Sequence, residues 1–62
     1  MWTVIYIAPS AEKAERIQDQ LSKEGFMVKV RQANTAREQY EILVPETEVE
    51  EVQDVLGPIL HS

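Results

Sequence analysis

The 62 residues predict a small α+β domain with the order strand, helix, strand, strand, helix. Three observations predict it. Apolar residues alternate with a period of two over Phe26–Arg31 and through most of Gln39–Val44, and Trp2–Ala8 is apolar on both faces, as strands covered on one side or on both require. They recur instead at helical spacing as Ala14, Ile17 and Leu21, and again as Val49, Val52 and Leu56. Between these runs stand residues that stop or start regular structure: Pro9-Ser10, Gly25 and Pro45.

The first strand is expected from Trp2 to Ala8. Strict alternation sends Thr3, Ile5 and Ile7 to one face and Trp2, Val4 and Tyr6 to the other, so both faces are apolar. Ser10 is the expected N-cap of a helix over Ala11–Glu24, whose first turn carries Glu12. Gly25 suits the left-handed residue that closes such a helix, and Phe26 can fold back on its last turn. The second strand, Phe26–Arg31, places Phe26, Val28 and Val30 inward and Met27, Lys29 and Arg31 outward. The polar, glycine-free segment 32–37 reads as the loop of a hairpin.

In the third strand Tyr40, Ile42 and Val44 share an apolar face, and Gln39, Glu41 and Leu43 the other; Pro45 ends it because it brings no N–H to a ladder. Setting Val30 opposite Tyr40 puts Val28 across from Ile42 and predicts a Lys29–Glu41 ion pair on the outer face. A second helix should open at Glu46, with Thr47 and Glu50 at capping-box spacing. Gly57-Pro58 should interrupt it, leaving Ile59-Leu60-His61 as a final turn or a kinked extension. A right-handed strand-helix-strand crossover leaves a gap that the third strand fills antiparallel. The expected sheet order is first-third-second with both helices on one face, half of a ferredoxin-like fold.

Composition narrows the chemistry. One domain, residues 1–62, is expected at this length, and a core so small rarely contributes more than about 3–5 kcal/mol. With no cysteine there is no disulfide or thiolate site, and a lone His61 builds no metal cage, so no metal or cofactor is expected and a second copy is the remaining staple. The absence of cysteine, of a basic leader and of a long apolar run reads as a cytoplasmic chain with no membrane partner. Through Arg37 six basic residues face four acidic ones; from Glu38 onward seven acidic residues stand without a base, and the total is −5. Such a field opposes nucleic acid unless the positive charge is gathered on one surface. The catalytic inventory predicts no enzyme: Ser10 and Ser62 have no neighbouring base, and the carboxylates fall on polar helix faces.

The opening Met-Trp-Thr-Val-Ile-Tyr-Ile-Ala-Pro, the join Leu21…Glu24-Gly25-Phe26…Val28-Lys29 and the run Glu41-Ile42-Leu43-Val44-Pro45-Glu46 with Val49-Glu50-Glu51 resemble the short bacterial signal-transducing domains of the DUF2007 type. The resemblance covers nearly the whole chain, rests on structural motifs and implies this fold and a regulatory role. Similar short chains sometimes carry the label glutamate decarboxylase. A pyridoxal enzyme needs a Schiff-base lysine in a deep pocket and a phosphate-binding loop, and here three lysines fall on expected surface faces with no glycine-rich loop. The hairpin loop is also shorter than in that family and lacks its glycines.

What stands out is the sheet face away from the helices. Trp2, Val4, Tyr6, Met27 and Leu43 should gather there, edged by Lys29 and Arg31, and a patch so rich in apolar and aromatic groups marks an interaction surface. Self-association, giving a homodimer, is the leading expectation. The alternatives are single-stranded nucleic acid stacked on Trp2 and Tyr6 with Lys29 and Arg31 on phosphates, and a small-molecule sensor at a dimer interface. A C-terminal turn folded over the patch would remove the need for any of them.

Overall fold

A computed structural model describes residues 1–34 and 36–60. The elements are β1 (Trp2–Ala8), α1 (Ala11–Lys23), β2 (Lys29–Asn34), β3 (Gln39–Pro45), a 3-10 turn (Glu46–Glu48) and α2 (Val49–Leu60). The strands form one sheet in the order β1-β3-β2, with β3 antiparallel to both neighbours. The predicted α+β topology is therefore the one observed.

Local chemistry explains most boundaries. Ser10 caps α1, its Oγ accepting from the Lys13 N–H at 3.2 Å. At the other end Gly25 has φ +93, and the Gly25 and Phe26 N–H groups donate to the Ser22 and Leu21 carbonyls. This closure satisfies the last carbonyls and needs a residue without a Cβ penalty. Two exposed pairs at i,i+4, Glu12–Arg16 and Asp19–Lys23, lace the outer side of α1.

Helix two begins differently from the capping box expected at Thr47 and Glu50. A 3-10 turn leads into it, and the N-cap of that turn, Pro45, has no side-chain acceptor to offer. Glu48 instead accepts from the Met27 N–H at 3.3 Å, which ties this turn to the segment before β2. Nor does Gly57-Pro58 break α2. The helix passes through Pro58 to Leu60, which is tolerable because only the last turn lies beyond the missing N–H. His61 lies outside the described residues.

The core is one cluster on one side of the sheet: Ala8, Ile42 and Val44 meet Ala14, Ile17 and Leu21 of α1 and Val52 and Leu56 of α2. Ile42 and Val44 are fully buried on the central strand, so both helices anchor on β3 and its neighbours. The result is a slab of 32 × 28 × 15 Å, one layer of sheet and one of helices.

Register brings three corrections. Strand β2 begins at Lys29 rather than Phe26 and runs to Asn34, so residues 32–34 of the expected loop belong to the strand. Pairing slides by two residues: Val30 faces Ile42, Lys29 faces Leu43 and Arg31 faces Glu41. The Lys29–Glu41 pair is thus replaced by Arg31–Glu41, in which Arg31 Nε donates to Glu41 Oε1 at 2.7 Å and Nη2 to the same oxygen. A slide of two keeps every side chain on its face, which is why the faces survive while the partners change. The loop contains Glu38 at φ 48, a left-handed position for which glycine would be the easier residue. Third, β1 carries a bulge. Val4 pairs with Leu43 but Tyr6 pairs with Ile42, so Ile5 is an extra residue and the alternation changes phase after it.

Because Arg31–Glu41 is exposed on the Arg side, its contribution should be small. A double-mutant cycle of Arg31→Ala and Glu41→Ala in urea should return a coupling below about 1 kcal/mol. Coupling between Lys29 and Glu41 in the parallel cycle should be near zero, and the reverse ranking would restore the other register.

Candidate interaction surface

The side of the sheet opposite the helices is built from two rows across all three strands. Val4, Leu43 and Lys29 form one, and Ile7, Glu41 and Arg31 the other, with Trp2 beside Pro45 at the end. The bulge decides which side chains join them. Tyr6 pairs with helix-facing Ile42 and packs against the core, contrary to its expected outward placement, and Ile7 comes out in its stead, 50% exposed. Nothing in the Ile-Tyr-Ile run favours one phase over the other, since each puts an apolar residue on each face. Met27 lies ahead of β2 rather than within it and is 60% exposed.

Leu43 occupies the middle of this surface on the central strand, yet it is only 5% exposed and stands apart from the helix-side core. Its flanking neighbours are Val4 on β1 and Lys29 on β2, and Lys29 Nζ reaches to 5.8 Å from the Trp2 ring centroid. The lysine stem and the indole thus close over Leu43, with a cation–π contact of about 0.5–1 kcal/mol at an exposed site. The surface has a filled centre and an apolar margin. Trp2 and Val4 remain about 40% exposed, and with Ile7 they all belong to the outermost strand β1.

Electrostatically this side is nearly neutral, because Arg31 is taken by Glu41 and Lys29 is the cation left, turned to the indole. With Tyr6 inward and Tyr40 and Phe26 against the core, Trp2 is the one aromatic ring on this side among the described residues. A second concavity lies between the helices: a cleft of about 320 Å³ lined by Gln20, Glu24, Asp54, Val55, Pro58 and Ile59. It is open to solvent.

Of the residues that chemistry might recruit, Ser10 is occupied as a helix cap. Among the described residues there is no buried polar or charged residue and no group of three or more His, Asp or Glu that could hold a metal ion. No helix among them is long and apolar enough to cross a membrane. No protein-family model, curated protein or solved structure matches the chain.

Proposed function

We propose that the chain is a non-enzymatic interaction module of the regulatory, signal-transducing kind suggested by its resemblance to DUF2007-type domains, and that it self-associates through the sheet side facing away from the helices. The observation that carries this reading is the concentration of exposed apolar side chains there: Trp2, Val4 and Ile7 on a single strand of a very small domain. The alternative of single-stranded nucleic acid is disfavoured by the inward Tyr6, which removes half of the stacking platform, and by the engagement of Arg31 with Glu41.

The sign of the salt effect separates the two. Two copies each carrying −5 repel, so self-association should strengthen as sodium chloride rises from 50 to 500 mM, about the range over which screening becomes short-ranged. Phosphate binding would weaken over the same range. In sedimentation velocity over a concentration series, the wild type should shift from monomer to dimer and Val4→Lys should remain monomeric with unchanged circular dichroism. A wild type that stays monomeric at high micromolar concentration sinks the proposal. Binding of a fluorescent single-stranded RNA at low salt, lost on Trp2→Ala, would replace it with the nucleic-acid reading.

A further inference from the structure

The geometry points to the way two copies join: β1 of one pairs antiparallel with β1 of the other, making a continuous six-stranded sheet. This inference rests on the self-association proposed above and specifies its contact. Among the described residues nothing pairs with the outer edge of β1. Open edges are usually guarded by charge, and the two edges of this sheet differ in that respect. Strand β2 carries Lys29 and Arg31, whereas the seven residues of β1 carry no charge at all. Pairing β2 with its own copy would set like charges together; pairing β1 would not.

The backbone of β1 is also aimed correctly. The Met1 carbonyl accepts from the Glu46 N–H at 2.8 Å, so Met1 turns its polar groups toward β3. In an antiparallel ladder the direction alternates residue by residue, so Thr3 also bonds inward while Trp2 and Val4 present N–H and C=O groups to the free edge. A two-fold axis beside Thr3 sets Trp2 of each copy opposite Val4 of the other, with two main-chain bonds in each such pair. The bulge at Ile5 ends the ladder there, so it is short and ordered by the side chains. Those side chains are Trp2 and Val4, both about 40% exposed on the same side of the sheet, so each valine lies opposite the part of the partner copy's indole that Lys29 leaves open. A flat face-to-face contact would instead press on Leu43, which is already covered and has little area to give.

Three proteins test this: the wild type, Val4→Ala and Val4→Pro. Val4→Ala removes the two valine methyls and keeps the N–H, whereas Val4→Pro keeps three side-chain carbons in its ring and loses the outward N–H, at a strand edge where proline is tolerated. Edge pairing predicts that Val4→Pro dimerises about tenfold or more weakly than Val4→Ala, since one main-chain bond is lost from each copy. It also predicts that the Trp2 and Val4 amides of the wild type exchange with deuterium more slowly as protein concentration rises. Equal dimerisation of the two variants, with those amides exchanging at one rate at all concentrations, would overturn edge pairing and leave face-to-face association standing. A monomeric wild type would overturn both. Loss of the monomer's circular dichroism in Val4→Pro would show that this N–H serves the fold, which contradicts its assignment to the free edge.

Discussion

Ile42→Ala should leave the protein mostly unfolded at 37 °C. The side chain is fully buried at the middle of the central strand, between Tyr6 on β1 and Val30 on β2, in the cluster that meets both helices. Truncating such a residue costs about 2–5 kcal/mol, because the lost transfer energy is joined by a cavity that a rigid sheet cannot collapse around. The whole domain at this size has about 3–5 kcal/mol to lose. Ile7→Ala, at a half-exposed position on the other side of the sheet, should cost less than about 1 kcal/mol. Urea titrations of the two variants followed by circular dichroism compare them directly. Equal losses would mean that the sheet is held from both sides, as it would be if the copies associate more tightly than the fold itself requires.

The second large effect has the opposite sign. Gly57→Ala with Pro58→Ala should raise the melting temperature. Gly57 sits inside α2, and a Cβ added there meets nothing within 4 Å. Alanine is favoured over glycine by about 1 kcal/mol in a helix interior, and over proline by up to about 3 kcal/mol, less where the end frays. Because Pro58 denies the Asp54 carbonyl its bond, the double variant should gain about 1–3 kcal/mol, or several degrees in a domain of this size. Helical signal should change little, since the helix already reaches Leu60. Pro58 also lines the cleft between the helices beside Gln20 and Glu24. A Pro58→Ala single variant less stable than wild type would therefore show that ring packing against α1 outweighs the missing hydrogen bond.

The element order and strand order were legible because each rests on patterns that local physics enforces. Alternation marked β2 and β3, an apolar run ended by Pro9 marked β1, Ser10 and Gly25 bracketed α1, and a right-handed crossover left one place for β3. What escaped was whatever two arrangements satisfy equally. Sliding the hairpin by two residues buries the same side chains, and Lys29 and Arg31 stand on the same face as candidates for Glu41, so burial could not choose between them. The bulge was invisible for a similar reason: in Val-Ile-Tyr-Ile every residue is at home inside or out. That one extra residue exchanged Tyr6 for Ile7 on the candidate surface, while Trp2, Val4, Lys29, Arg31 and Leu43 fell in the strands where alternation put them. Leu43 is buried on the side where Lys29 lies across to Trp2, a contact between the two outer strands that no single-strand pattern encodes.

The strand order β1-β3-β2 also imposes a schedule on synthesis. The strand made first can bond only to the strand made last, because β2, finished earlier, is never its neighbour. At about 5–20 residues per second, the roughly 30 residues between them keep β1 waiting a few seconds on the ribosome. The hairpin of β2 and β3, closed by a short loop, needs no such delay, and the β1–β3 pairing spans most of the chain. For that interval the uncharged strand has no partner for either edge within its own chain, and its pairing waits on the last strand to be made.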